Sequence, residues 1–280
     1  MRIIVTGSKG QLGTDIVAEL KKRGHTAIGA DLPETDITDK ASVESLIIES
    51  KADGIIHCAA FTNVDLAETE KEICKKINVE GTANIAIACQ KHSMKMLYIS
   101  TDYVFGGEGS DAFETDSPKT PCNYYGESKL LGEIAVTENC EKAFIVRISW
   151  VFGENGKNFV RTMLRLSEEK ESLTVVNDQT GSPTYTKDLA LLLCDMITTE
   201  KYGVYHATNE GYCTWAEFAS EIMKLSGAGT KIIPVTSDEY KTAAVRPKNS
   251  RLSKISLDKN GFDRLPDWKD ALRRYLLNEC

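Results

Sequence analysis

The chain opens with an apolar run, Ile3-Ile4-Val5, that ends in Thr6 and is followed at once by Gly7-Ser8-Lys9-Gly10-Gln11-Leu12-Gly13. A short apolar run stopping at a glycine turn reads as a buried strand over residues 2–6. Residues 11–23 then place Leu12, Ile16, Val17 and Leu20 on one helix face. This junction constrains the fold most, because Gly7, Gly10 and Gly13 let the backbone turn sharply from a strand into a helix. The free N–H groups opening such a helix face an anion, and in this context the anion is the pyrophosphate of a dinucleotide. The same spacing without a strand before it and a helix after it would carry little weight.

The alternation continues through the first half. Strands are expected at 25–30, 53–58, 95–100 and 144–149, and helices at 40–51, 71–92 and 123–139, with a polar loop over 105–120. The pattern predicts an α/β fold of Rossmann type, a doubly wound parallel sheet with helices on both faces. Ligands then bind at the carboxyl ends of the strands. Gly7, Asp31, Ala59, Thr101 and Ser149 each follow a predicted strand and should meet along one edge.

Beyond residue 150 the pattern weakens. Helices are expected at 156–169, 186–198, 214–226 and 266–277, and strands at 173–176, 203–207 and 231–235. The expected organisation is an NAD(P)-binding domain over 1–150 and a smaller C-terminal α/β substrate lobe over 151–280. That boundary is approximate and allows the chain to cross back between lobes.

Composition narrows the partners. The 280 residues carry a net charge of −7 and no long basic run, which argues against nucleic acid or an anionic membrane surface. No 18-residue apolar window exists, and the first residues read as a strand, not a leader. The cysteines at 58, 74, 89, 122, 140, 194, 213 and 280 never form Cys-x-x-Cys, and the four histidines are scattered, so no metal site is expected. Cys58, Cys89 and Cys194 lie in apolar stretches and read as buried thiols, which fits a reducing cytoplasm.

Asp31 ends the second predicted strand, about 20 residues beyond the glycine turn. A carboxylate there accepts hydrogen bonds from ribose hydroxyls and repels a 2′-phosphate, which favours NADH; Lys9 in the loop leaves NADPH open. The competing reading of Asp31 is a solvated turn residue. Tyr125 and Lys129 stand four residues apart on one predicted helix face. A nearby ammonium and a cationic oxidised nicotinamide both favour phenolate, so the Tyr125 pKa is expected to fall toward the range of a working acid or base. Thr101, at a strand end, can bond the same carbonyl oxygen; Ser100 is the alternative hydroxyl, pointing the other way. Tyr-x-x-x-Lys alone is common on surface helices, and it gains meaning from the glycine turn and Thr101.

Eight segments carry a resemblance nearly end to end: TGSKGQLG (6–13), CAAFTNVDLAE (58–68), INVEGTANIA (77–86), STDYVFGG (100–107), YGESKLLGE (125–133), RISWVFG (147–153), DQTGSPT (178–184) and RPKNSRL (246–252). The chain resembles the extended short-chain dehydrogenase/reductase superfamily and, within it, the dTDP-4-dehydrorhamnose reductase family. The resemblance implies hydride delivery from NADPH or NADH to C4 of a dTDP-4-keto-6-deoxy sugar, with Tyr125 supplying the proton and Lys129 anchoring the ribose. It implies that Thr101 and Asp102 hold the sugar, that Trp150 lines its pocket, and that Val64 and Tyr103 touch it. Gly10, Gln11 and Leu12 would meet the pyrophosphate, Asp36 and Ile37 the adenine, and Ala59, Ala60, Thr62 and Ile99 would follow the cofactor. Asn78 matches an asparagine that often supports a proton relay. Gln179 and Arg246 are candidates for the nucleotide end of the substrate, although Arg246 could equally brace the C-terminal lobe.

The chain departs from the family pattern in three respects. His57 stands where many relatives have asparagine and reads as a packed strand-end residue. Gly107 follows Gly106 where an acidic residue is frequent. Some relatives dimerise through magnesium held by glutamates; with Asp15 and Lys187 at the corresponding positions, no metal bridge is expected. A homodimer packed through helices is compatible with the sequence, as is a monomer. A dehydratase would need a glutamate where Tyr103 stands. An epimerase, or a dinucleotide-binding regulatory subunit, is the alternative function.

Overall fold

The computed structural model describes residues 1–279; Cys280 lies outside the described residues. The central sheet is built from β1 (Arg2–Thr6), β2 (Thr26–Ala30), β3 (Gly54–His57), β4 (Lys95–Thr101), β5 (Ala143–Ile148) and the later strand Gly203–His206. From one edge the order is Gly203–His206, β5, β4, β3, β1, β2, with every pair parallel. The strand order reverses between β1 and β3, where a crevice opens beyond the carboxyl ends.

Strand alternation divides the core into two layers. Ile3 and Val5 face α1 (Gln11–Lys22) and the helix Thr186–Ile197, packing with Leu12, Ile16, Leu20, Leu189 and Leu193. Ile4, Ile55, Met96 and Tyr98 face the other way. They pack under α2 (Lys40–Ser50) through Val43 and Ile47, and they also meet Ile85, Cys89 and Val136. Those last residues belong to α5 (Thr82–Lys91) and α6 (Tyr124–Asn139); between α2 and α5 come the short α3 (Val64–Ala67) and α4 (Lys71–Lys75).

The helix expected over 71–92 is α4, then a π-helical turn over Lys76–Gly81, then α5. Asn78 lies in the wide turn, and its side chain bonds both backbone groups of Phe61 and the Ser128 hydroxyl, so polar contacts across the turn compensate the broken α pattern. The helix expected from 156 starts at Phe159, because the Asn158 side chain caps it by accepting from Arg161 N at 3.0 Å. The strand Gly203–His206 returns to pair with β5, so the sixth sheet strand comes from beyond residue 150.

The remaining elements form a smaller layer. The parallel strands Ser172–Val176 and Lys231–Val235 pack with the helices Phe159–Glu169, Trp215–Ser226 and Trp268–Glu279 around Phe152, Tyr185, Phe218, Trp268 and Tyr275. Cys89 and Cys194 are buried as expected, whereas Cys58 is only half-buried because it borders the crevice. Among the described residues, no helix is long and apolar enough to cross a membrane.

Candidate active site

A cleft of about 920 Å³ follows the carboxyl edge of the sheet. Gly7, Asp31, Ala59, Thr101 and Ser149 all border it, as their strand-end positions require. At one end, Gly7 adopts φ +66°, and a Cβ there would lie 2.8 Å from Ala59 N, so only glycine fits where β1 turns beside the end of β3. α1 begins beyond Gly10 with no side-chain cap and no acidic residue in its first turn. Its N–H groups thus face the cleft without a competing carboxylate, the donor set that a pyrophosphate needs. Asp31 is more than a solvated turn residue: it accepts from the Ser8 hydroxyl and from Lys9 N, bracing the glycine turn. Asp36 Oδ1 accepts from the Thr38 hydroxyl and N–H, both at 2.8 Å, and these bonds hold its carboxyl below the usual range.

The middle of the cleft holds the polar groups singled out in the sequence. Thr101 ends β4, donates to Asp102 Oδ1 at 3.0 Å and accepts from Tyr103 N at 3.2 Å. Asn123 caps α6 by accepting from Gly126 N at 2.8 Å, which puts Tyr125 in the first turn and Lys129 one turn on. The Tyr103 and Tyr125 rings meet edge-on at 6.0 Å. Burial raises the Asp102 carboxyl to about 6, against opposing hydroxyl contacts from Ser250 and Thr101. Burial also pulls the Lys129 ammonium down to about 7, with the Glu133 charge working the other way.

The fall expected for Tyr125 invokes an oxidised nicotinamide as well as Lys129, and the protein's own groups push the other way. Burial, and then the Asp102 charge, push the phenol well above its ordinary value, and the Thr101 hydroxyl only partly opposes them. The Lys129 ammonium donates to Ile99 O at 2.7 Å and lies 4.0 Å from the centre of the Tyr98 ring, so it is committed to β4. Burial and the Asp102 charge thus favour the protonated phenol of Tyr125, the form that gives a proton. The Ser100 hydroxyl is engaged on the other face, donating to Glu133 at 2.6 Å.

Every residue expected to hold cofactor borders this cleft: Gly7, Gly10, Gln11, Leu12, Gly13, Asp31, Asp36, Ile37, Ala59, Ala60, Thr62, Ile99, Tyr125 and Lys129. So do Val64, Thr101, Asp102, Tyr103 and Trp150 from the expected substrate set. Comparison with known proteins shows the family. The family model described as the RmlD substrate binding domain matches residues 1–279. The dTDP-4-dehydrorhamnose reductase of Streptomyces griseus is 38% identical, covering 97% of this chain and 91% of its own. The spore coat polysaccharide biosynthesis protein SpsK of Bacillus subtilis is 40% identical, covering 98% and 96%. The crystal structure of dTDP-4-dehydrorhamnose reductase from Bacillus anthracis in complex with NADP superposes with a TM-score of 0.97 at 42% identity, covering 99% of each chain.

This chain belongs to the dTDP-4-dehydrorhamnose reductase family. A UDP-glucose 4-epimerase from Thermus thermophilus shares the fold, with a TM-score of 0.83 at 19% identity.

Two residues that the family resemblance assigned to the nucleotide end of the substrate do not border the cleft. Gln179 donates to the Ser237 hydroxyl at 3.0 Å. The Arg246 fork is filled by Asp65 of α3, at 3.1 and 2.7 Å, and by Ala244 O. Arg246 thus ties its segment to α3 of the first half of the chain. The Asn78 amide is engaged as described above. His57 is packed, as expected: buried between the Thr6 and Thr82 hydroxyls at 2.7 and 3.1 Å, it is pulled to about 3 by burial and by Lys129.

The magnesium site seen as possible in the family does not fit these residues. Lys187 is ion-paired with Glu154, and burial raises the Asp15 carboxyl.

Sequence reasoning missed Lys157, Phe159 and Trp215, all of which border the cleft from the second lobe. A signal existed for Trp215. Thr214 and Glu217 form a capping box, which fixes Trp215 as the first residue of its helix and at that helix's open end.

Proposed function

We propose that the protein reduces the C4 ketone of dTDP-4-dehydro-L-rhamnose to dTDP-L-rhamnose with NADPH or NADH. The observation carrying this reading is one cleft lined by the glycine turn, by Tyr125 and Lys129 of α6, and by the hydrogen-bonded Thr101–Asp102 pair. The bound dinucleotide supplies a hydride to C4. The chain's own groups do the rest. The Thr101 hydroxyl, turning its one proton from Asp102 Oδ1 to the ketone oxygen, fixes that oxygen's orientation. Tyr125 passes its proton to that oxygen as negative charge develops there, completing the alcohol. Lys129, held by Ile99 O, presents its remaining donors to the nicotinamide ribose, and its charge eases the phenolate left on Tyr125. Asp102, Tyr103, Val64 and Trp150 surround the sugar.

Dehydration is disfavoured by Tyr103. Burial, and then the Asp102 charge, raise its phenol, so it cannot serve as the carboxylate base of an elimination. Loss of NADPH absorbance on adding the ketosugar, with release of NADP, tests the reductase reading. Sugar conversion without net cofactor consumption would point to the epimerase.

The proposed division is a dinucleotide-binding domain over 1–150, which also brings Val64, Thr101, Asp102, Tyr103 and Trp150 to the sugar, and a smaller lobe over 151–280, with Thr186–Ile197 and Gly203–His206 crossing back to the sheet. A cytoplasmic setting is supported by the free thiols at 58, 74, 89, 122, 140, 194 and 213. A helix-packed homodimer is supported by Leu131 and Ile134, exposed one turn apart on α6. A monomeric mass in sedimentation would reject the dimer and leave the reductase reading intact.

A further inference from the structure

Trp150 is held in an unusual way. It follows β5 with φ +47°, a left-handed backbone conformation that a bulky side chain rarely adopts. Two contacts keep its indole in place. Trp215, the first residue of its helix, stacks on it with ring centroids 3.7 Å apart and planes 14° apart. Gly181 lies against its edge: a Cβ there would come within 2.8 Å of Trp150 Cε2 and 3.0 Å of Cζ2. These are rigid ring atoms, already backed by a second indole, so the ring itself would have to move. The backbone is pinned as well. Thr184 N donates to Trp150 O at 3.1 Å, and the antiparallel pair Gly181 with Cys213 carries Gly181 and Trp215 on adjoining segments. Both indoles border the same cleft that Thr101 and Tyr125 line.

We propose that Trp215 and Gly181 are positioning residues that clamp Trp150 as a flat wall for the sugar of the nucleotide substrate. The inference rests on the reductase reading. The strain at Trp150 persists because the clamp over-determines it, and an indole face so fixed can meet a sugar ring without losing rotamer freedom on binding. Among the described residues, the two clamp contacts, Trp215 and Gly181, touch no glycine-turn residue, and the turn reaches this segment only through Gln11 Nε2, which donates to Val151 O at 3.2 Å, so the clamp should change cofactor affinity little.

The test uses full-length Gly181→Ala, Trp215→Ala and Trp215→Phe proteins, with two readouts. Circular dichroism reads the exciton signal of the stacked indoles. Calorimetry reads separately the affinities for dTDP-L-rhamnose and for NADPH. Gly181→Ala and Trp215→Ala should lose the exciton signal and bind the sugar nucleotide about tenfold more weakly, with NADPH affinity within about twofold of wild type. Trp215→Phe removes the indole pair but keeps an aromatic face, and should retain sugar-nucleotide affinity. Should Gly181→Ala fail to fold, the contrast between the two Trp215 variants decides. Unchanged sugar-nucleotide affinity in Trp215→Ala, or equal weakening toward both ligands, overturns the clamp. A wild-type protein that binds NADPH but not the sugar nucleotide overturns the reductase reading, and the clamp falls with it.

Discussion

Lys129 Nζ donates to the carbonyl oxygen of Ile99 at 2.7 Å, which fastens the ammonium of α6 to the end of β4. Burial is what lowers this group to about 7. In the unfolded chain it titrates near its ordinary 10.5. Between those values the unfolded state binds more protons, so this group makes stability rise with pH from about 7 to about 10.5, by about 1.4 kcal/mol per pH unit. Lys129→Met should abolish that rise. The variant should exceed wild type in stability at pH 7 and lose the margin toward pH 10 in urea titrations, while turnover drops by about 100-fold.

Asp102 gives the opposite sign. Its carboxyl titrates at about 6 in the folded protein and at 3.8 as its ordinary value, so the folded state holds the extra proton between the two. Stability then falls as pH rises through that window, and the full penalty, about 3 kcal/mol, is present above it. Asp102→Asn should be the more stable protein at pH 7.5, with the margin vanishing toward pH 4, and should bind the sugar nucleotide more weakly. Parallel denaturation curves for the two proteins across that range would remove Asp102 as the cause.

Arg147 and Glu133 form a bidentate pair at 2.8 Å, almost wholly buried, between Ser100 on β4 and His206 on the returning strand. Arg147 also donates to Thr115 O at 2.9 Å. Arg147→Met leaves a carboxylate buried without its partner and should lose about 3–5 kcal/mol. Adding Glu133→Gln should recover part of that loss in chemical denaturation. An additive double variant would show that the two residues are energetically independent.

The cofactor half of the site could be read from sequence because each element carries its own local signal. β1 is an unbroken apolar run, α1 has a four-residue apolar rhythm, and Tyr125 and Lys129 share a helix face whatever else the chain does. The substrate half depends on contacts between distant segments. Nothing local in Arg246 says that Asp65 will fill its fork, and two-residue strands such as Thr180–Gly181 are too short for periodicity to register. The π-helical turn at Asn78 hides inside a helical pattern, since its cause is a set of bonds to Phe61 and Ser128 elsewhere. The protein's own upward push on Tyr125 is hidden for a related reason: the sequence shows a lysine one turn away, but not the depth of burial or the Asp102 charge.

Tyr125→Phe tests the central claim most directly. The substitution removes one hydroxyl and keeps the ring that meets Tyr103. Wild type, NADPH and dTDP-4-dehydro-L-rhamnose should give rapid loss of NADPH absorbance with dTDP-L-rhamnose as product. The variant should bind NADPH as wild type does and turn over at least about 100-fold more slowly. A variant that keeps wild-type turnover would contradict the assignment of Tyr125 as the proton donor.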